Sequence, residues 1–181
     1  MTALRADAQR NLGRILEAAS AAYTELGGDV TIDEIARRAG VGHGTVFRRF
    51  PTKDALRAAV VRARLDELLA RAHELSAQSD AGAAVEELVW AVAESCRRDR
   101  ALFEGIERCG CFADVAERKQ ELHETVGKVI RRAQRDGAIR RDIDARDIGA
   151  LVAAAIQTSI SLDRDDAWRR YVQVVVDGLR R

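Results

Sequence analysis

The chain has 181 residues, which is long enough for one well-packed core or for two small domains that share a long helix. Hydrophobic residues make up 47% and charged residues 33%, with a single proline and only 4% aromatic residues, which favours a soluble all-α fold over a sheet. The net charge is only +1, but residues 1–64 carry 11 basic and 7 acidic side chains. A basic N-terminal third on a slightly acidic body is therefore predicted.

The sequence also argues against several functional classes. The longest charge-free run, residues 148–162, has 15 residues, fewer than the roughly 20 that a membrane-spanning helix needs, so no membrane partner is expected. An odd number of cysteines without a secretory signal predicts free thiols in the cytoplasm. The chain has no glycine-rich phosphate loop and no Ser-His-Asp or paired-carboxylate signature, so we expect no enzyme, no catalytic residue and no cofactor.

The first predicted element is an amphipathic helix that begins at about Leu12 and is closed by Gly27 and Gly28. Its apolar residues recur at helical spacing: Leu12, Ile15, Leu16, Ala19, Ala22, Tyr23 and Leu26. Residues 1–10 are polar and are expected to form a tail. This helix is expected to pack behind the two short helices that follow.

The next predicted helix begins after Thr31. Thr31 and Glu34 fit a capping box, in which the hydroxyl accepts from the amide three residues on and the carboxylate reaches back to the cap amide. Gly40 is expected to end the helix in the left-handed conformation, because glycine has no Cβ to clash there. Residues 41–44 are then expected to form a short turn.

A second short helix is predicted from about Thr45. Val46 and Phe50 lie four residues apart and are expected to face the core, so Arg48 and Arg49 are directed to solvent. Two arginines on a short exposed helix suit the major groove of DNA, where arginine can fork onto guanine or pair with phosphate. The two short helices are therefore predicted to form a DNA-reading unit.

Pro51 is expected to stop the second short helix, because proline disfavours helical geometry at the residue before it. Thr52 can cap a new helix from Lys53 to about Ser76. Its apolar positions continue for about six turns, more than a small N-terminal domain can cover. The helix is therefore predicted to link two domains.

At this point the sequence resembles a known family. Residues 44–56, Gly-Thr-Val-Phe-Arg-Arg-Phe-Pro-Thr-Lys-Asp-Ala-Leu, resemble the N-terminal domain of TetR-family transcriptional regulators, and residues 137–148 resemble the turn before that family's eighth helix. The resemblance implies a homodimer on double-stranded DNA and a helical C-terminal domain that binds a small-molecule effector. Two positions depart from the family, which usually has tyrosine where Phe47 stands and often lysine where His43 stands. A phosphate-bonding hydroxyl and a permanent positive charge are therefore missing.

The resemblance and the exposed pattern together define the predicted DNA contacts. Thr31 and Lys53 are expected to meet phosphates at helix N-termini, and Thr45, Arg48 and His43 are expected to approach base edges. Gly44 would permit close approach of the backbone. The full predicted set is Thr31, His43, Gly44, Thr45, Phe47, Arg48, Arg49 and Lys53. The alternative is an ordinary solvated charged surface.

Further helices are predicted along the rest of the chain, about nine in all. They cover residues 83–98, 101–108 and 113–135, then a helix capped by Asp144 with Asp147 that runs through Leu162, and a last helix capped by Asp163. We predict two domains. Residues 1–52 form a helix-turn-helix DNA-binding domain, and residues 53–181 form a helical effector-binding and dimerisation domain.

The two C-terminal helices are predicted to offer more apolar surface than one helix pair can bury. Two such pairs across a two-fold axis would make a four-helix dimer interface. Its predicted residues are Ile148, Leu151, Val152, Ala155, Ile156, Trp168, Tyr171 and Val175. Burial of both helices within one chain is the alternative.

An effector pocket is expected within the C-terminal helices on the basis of the resemblance. Its candidate residues are Trp90, Glu94, Cys96, Phe103, Phe112 and His123. Apolar pockets with a few polar groups suit small hydrophobic ligands, although aromatic residues at helical spacing also fit an ordinary core. A rival hypothesis is a thiol- or metal-responsive regulator, in which Cys109 and Cys111 with Cys96 or His123 bind zinc or oxidise.

Overall fold

The computed structural model describes residues 2–98 and 113–180, and within them it is all-α, without a strand. Its eight α-helices are α1 Thr2–Leu26, α2 Ile32–Ala39, α3 His43–Arg49, α4 Lys53–Ser76, α5 Ala81–Arg98, α6 Ala113–Arg135, α7 Ala145–Ser161 and α8 Trp168–Leu179. The helix predicted at residues 101–108 lies outside the described residues. The all-α prediction is confirmed, and the helix count is close to the expected one.

Most predicted helices are present, but three local predictions are wrong. α1 begins at Thr2 instead of Leu12, because alanine, leucine, arginine and glutamine in this stretch are good helix formers. His43 is the first residue of α3 and Gly42 is its N-cap, so the turn is shorter than expected. Asp163 does not cap α8: it stands in the preceding turn with φ 52°, and the N-cap of α8 is Ala167.

The chain divides into two compact units, and among the described helices the boundaries fall within α4, between Arg64 and Leu65, and within α6, between Val115 and Ala116. In the N-terminal unit α1 packs against α2, and α2 packs against α3. The largest fully buried side chains of this unit are Ile15, Tyr23, Ile35, Val46, Leu56, Val60 and Val61. This core fixes the position of α3 on the surface of the unit.

The C-terminal unit is built around α5, α7 and α8, which pack against one another. Its core includes Leu88 and Val89 of α5, Val152 and Ile156 of α7, and Val172 and Val176 of α8. Within residues 2–98 and 113–180, no helix combines the length and the apolar run that a bilayer span requires.

The C-terminal end of α4 is held by a side chain from α6. Arg132 donates from Nη1 to the carbonyl oxygens of Ser76 at 3.2 Å and Gln78 at 2.7 Å, and from Nη2 to that of Ser79 at 2.9 Å. The last carbonyl groups of a helix have no partner within the helix, and a cation there also interacts favourably with the helix dipole. Arg132 therefore fixes the end of α4 and the loop that follows it.

The predicted capping box at the start of α7 is fully formed. Oδ1 of Asp144 accepts from the amides of Arg146 at 2.7 Å and Asp147 at 3.0 Å, and Oδ2 of Asp147 accepts from the amide of Asp144 at 2.9 Å. The amides of Asp147 and Arg146, in that order, lower the pKa of Asp144 because they bond to its charged form. The start of α7 is therefore stabilised by an ionised carboxylate.

We expect Asp144→Ala to lower the free energy of unfolding at neutral pH. A folded-state pKa below the unfolded value gives stability that is present above the unfolded pKa, about 3.9 for aspartate, and is lost as the pH falls through the folded pKa. The difference between the two proteins should therefore shrink at acid pH in urea titrations. Asp144→Asn, which keeps an acceptor, should retain more of the cap, and a difference that stays constant into the acid range would contradict this account.

Candidate nucleic-acid interface

The turn between α2 and α3 is set by Gly40. This residue lies at φ 63° and ψ 38°, and its amide donates to the carbonyl of Arg37 at 3.2 Å. The amide of Val41 donates to the carbonyl of Ala36 at 3.1 Å. The left-handed glycine predicted from the sequence thus ends α2 and redirects the chain into α3.

Gly40→Ala is expected to destabilise the N-terminal unit by about 1–2 kcal/mol, because an L-residue in the left-handed region brings its Cβ too close to the carbonyl. A Cβ at this position would also lie 2.5 Å from Nη2 of Arg14, a flexible side chain that can move. Urea denaturation followed by circular dichroism measures the loss. Gly40→Asn is the matched control and should lose less, since asparagine tolerates this conformation; equal losses would argue against the backbone explanation.

Only one half of the capping box predicted for α2 is present, the bond to the side chain of Thr31. The hydroxyl of Thr31 accepts from the amide of Glu34 at 3.2 Å, as expected. The carboxylate of Glu34 accepts from Arg37 at 2.9 and 2.7 Å and from Arg38 at 2.7 Å. Hydrogen bonds from Arg37 and then Arg38 lower the pKa of Glu34 to about 2. These two arginines are therefore engaged within the protein by an ionised carboxylate.

α3 presents most of the predicted DNA contacts on its solvent side. Val46 and Phe50 are buried, as predicted, while the exposed residues are His43, Gly44, Thr45, Phe47, Arg48 and Arg49. Nε of Arg48 donates to the carbonyl of Gly44 at 3.0 Å, which holds the stem of this arginine along the helix. The structure therefore brings six of the eight predicted contact residues together on one short helix.

The other two predicted contacts stand at the starts of neighbouring helices. Thr31 is the exposed N-cap of α2, and Lys53 is the first residue of α4 and is half-buried. Thr52 caps α4 by accepting from the amide of Ala55 at 3.0 Å, as predicted. The hydroxyl of Tyr23 donates to the carbonyl of Lys53 at 3.4 Å, so this end of α4 is fixed to α1.

One residue of this surface was not anticipated from the sequence. Asp33 of α2 bonds to Nδ1 of His43, and the ring of His43 stacks on that of Phe47 with a centroid distance of 5.9 Å and an interplanar angle of 14°. His43 and Phe47 are one helical turn apart, so their proximity follows from spacing. The link to Asp33 crosses the turn, and no local pattern indicates it.

The described candidates for the effector pocket lie in two separate places. Trp90 contacts Trp168 edge to face with a centroid distance of 6.2 Å, and Cys96 packs beside the same core. Glu94 is exposed, and its Oε1 lies 4.0 Å from Nη2 of Arg169. Phe103 and Phe112 fall outside the described residues. The aromatic residues that are described therefore belong to the core or its edge.

His123 lies in a different position, in a cleft of about 230 Å³ between α6 and the start of α7. Its pKa is lowered first by burial and then by the charges of Lys119 and Arg146. Residues that line this cleft but were not predicted include Gln120, Glu124, Arg131, Gln134 and Arg146. Charged and polar side chains therefore share the lining of this cleft with apolar residues such as Ile130 and Ile143.

The predicted dimer residues divide into buried and accessible groups. Ile148, Val152, Ile156 and Trp168 are already buried within this chain, and their place in a dimer interface stays a prediction. Ala155, Tyr171 and Val175 are half-buried. Leu151 is 46% exposed, and Val174, which was not in the predicted set, is 71% exposed.

The thiol and metal hypothesis rests largely on residues outside the described part of the chain. Cys109 and Cys111 lie there, whereas Cys96 is half-buried in α5. Among the side chains that the structure describes, no group of three or more His, Cys, Asp or Glu residues is arranged to hold a metal ion. The hypothesis remains a prediction.

Both halves of the chain match known family models. Residues 15–60 match the model of bacterial regulatory proteins of the tetR family, and residues 80–181 match that of the C-terminal domain of SbtR-like transcriptional regulators. Two sequence relatives cover most of the chain. An uncharacterized HTH-type transcriptional regulator of Mycobacterium tuberculosis H37Rv, Rv2250c, is 32% identical over 82% of this chain and 79% of its own length. The HTH-type transcriptional repressor KstR2 of Rhodococcus jostii RHA1 is 26% identical over 91% and 89%, respectively.

Solved structures show the same architecture. A TetR transcription regulatory protein from Mycobacterium vanbaalenii superposes with a TM-score of 0.76 at 36% identity, covering 98% of this chain and 99% of that one. The TetR transcriptional regulator SCO0520 from Streptomyces coelicolor gives a TM-score of 0.76 at 27% identity, covering 93% and 98%. The similarity thus extends over both compact units.

Proposed function

Because the chain belongs to the TetR family of transcriptional regulators, we propose that it is a ligand-released repressor that binds a palindromic operator as a homodimer. The family and the relatives are transcriptional regulators and not enzymes. That KstR2 is named a repressor supports repression over activation. We assign DNA binding to residues 1–52 and effector binding and dimerisation to residues 53–181, and we place the protein in the cytoplasm.

The observation that carries this proposal is the exposed surface of α3. Its arginines, Arg48 and Arg49, are exposed together with Thr45, while Val46 of the same helix is fully buried in the core. A helix of this width fits the major groove, where arginine recognises guanine O6 and N7. Thr31 and Lys53 at helix N-termini are suited to contact phosphates and to set the orientation of α3.

A second copy of the chain is the proposed occupant of the exposed apolar side of α7 and α8. Leu151, Ala154 and Val174 are exposed there, next to half-buried Ala155 and Val175. An isologous contact would bury this surface against its own copy. Two DNA-binding domains related by a two-fold axis would then match half-sites about 34–36 Å apart, one helical turn of DNA.

The proposed effector binds among the C-terminal helices, and His123 marks one cleft that could receive it. An effector can release DNA only if it binds the DNA-incompetent form more tightly than the DNA-bound form. The mixed charge of the cleft, with Glu124 and Arg131 on α6 and Arg146 on α7, favours a small polar molecule at this place. A larger apolar effector would need another site.

The function is tested by selecting bound sequences from random duplex DNA with the full chain. We expect a palindrome whose half-sites are one helical turn apart, together with a dimer in analytical ultracentrifugation. A chain that stays monomeric and binds no duplex at low ionic strength would refute the proposal. Candidate effectors can then be screened by release of the selected duplex.

A further inference from the structure

Phe47 is a large apolar side chain in the middle of the proposed DNA-reading surface. It is 50% exposed, and its neighbours Arg48 and Arg49 are exposed polar residues. Single exposed apolar side chains are common on protein surfaces, so exposure alone says little. What distinguishes Phe47 is the way in which its ring is held.

Two residues position this ring: His43, one turn earlier on α3, and Asp33 on α2. The ring of His43 lies nearly parallel to that of Phe47, with an interplanar angle of 14°. Nδ1 of His43 is bonded to the carboxylate of Asp33 on α2. Because a carboxylate can only accept a hydrogen bond, this contact places a proton on Nδ1 and fixes the orientation of the imidazole. The imidazole therefore lies in an offset stack beside the phenyl ring, and Phe47 remains 50% exposed.

The chemistry of the major groove restricts what such a ring can contact. A phenyl ring has no hydrogen-bond donor for a phosphate, in contrast to the tyrosine that is usual at this position of the family. The polar edges of guanine, cytosine and adenine offer donors and acceptors, whereas thymine also presents its C5-methyl group. That methyl group is the apolar partner available to a ring held in the groove.

On the premise that the proposed function holds, we infer that Phe47 recognises the C5-methyl group of a thymine in each half-site. Asp33 and His43 are positioning residues that hold the ring toward that methyl group. The operator should therefore contain a thymine at a fixed position relative to the guanine read by arginine.

The test replaces each thymine of the selected duplex, one position at a time, with deoxyuridine, which lacks only the methyl group. We expect one position per half-site at which the unaltered protein binds about fourfold more weakly, the effect of losing one buried methyl group. Phe47→Ala should bind the thymine and deoxyuridine duplexes equally. Phe47→Tyr, which keeps the ring, should retain the preference.

The positioning role is read from the same ratio of affinities. Asp33→Ala should reduce the thymine preference, and Asp33→Asn, which still offers an oxygen acceptor to His43, should restore it. Removal of a negative charge strengthens binding to any duplex, but it does so equally for the two duplexes, so the ratio is unaffected by this general effect. Circular dichroism and thermal melting confirm that each variant is folded.

Three results would overturn the inference while leaving the proposed function intact. They are a selected palindrome without thymine, a full set of deoxyuridine duplexes that bind unchanged, and a Phe47→Ala protein that keeps the whole preference. Absence of any duplex binding by the unaltered protein would instead refute the proposed function, and the inference with it.

Discussion

A protein that carries Leu151→Asp and Val174→Asp is expected to be monomeric and to bind the selected palindrome at least about a hundredfold more weakly than the unaltered protein. Leu151 is 46% exposed and Val174 71% exposed in the single chain, and neither belongs to its buried core, so the substitutions should leave its fold intact. In a two-fold contact each substitution appears twice, and four carboxylates would be brought together without partners. A monomer contacts only one half-site, so the gain in affinity from binding two half-sites at once is lost.

The oligomeric state is measured by analytical ultracentrifugation and the affinity by fluorescence anisotropy. Leu26→Asp is a matched control, because Leu26 is also a large apolar residue that is 49% exposed, but on α1. It should remain dimeric. A double variant that is still a dimer would place the interface elsewhere, and a monomer with full affinity would remove the argument for paired half-sites.

Arg48→Ala is expected to weaken binding to the selected palindrome by about 1–3 kcal/mol per half-site and to have a much smaller effect on random duplex of the same length. The reason is that arginine pairs with a guanine edge only where the sequence offers one. Lys53→Ala should instead weaken binding to both duplexes alike, because a phosphate is present at every position. It should also reduce the slope of log affinity against log salt concentration by about one unit for each phosphate that Lys53 neutralises.

Titrations of both variants on both duplexes at several salt concentrations separate these roles. Equal losses of affinity on the palindrome and on random DNA for Arg48→Ala would show that this arginine contacts the backbone and not a base. A loss for Lys53→Ala that depends on the DNA sequence would show that Lys53 contacts a base and not only the backbone.

Local chemistry accounts for the parts of the fold that were predictable. Gly40, the cap formed by Asp144 and the burial of Val46 and Phe50 all follow from neighbours within about one turn of helix, so the amino-acid sequence contains the necessary information. The exposed contact surface of α3 follows from the same periodicity. Its proposed role in DNA binding is supported by the family and by this exposed geometry together.

Competition between alternative partners, within one helix for Glu34 and between helices for His43, explains most of the failures. Glu34 was expected to return to its own cap, but Arg37 and Arg38 offer stronger charge-assisted bonds to the same carboxylate. The apolar pattern of α7 does not tell which residues pack inside the chain and which would pack against a second copy, because both sides of the helix are apolar. The contact between Asp33 and His43 depends on the crossing of α2 and α3, which no periodicity encodes.

Arg132 has a mechanical consequence for the helix that enters both compact units. Its guanidinium donates to the carbonyl oxygens of Ser76, Gln78 and Ser79, which lie more than fifty residues before it in the chain. Any displacement of α6 that keeps these bonds must carry the final turn of α4 by the same amount. The C-terminal end of α4 and the loop after it are therefore attached to α6 by hydrogen bonds, and we do not expect this end of the helix to fray.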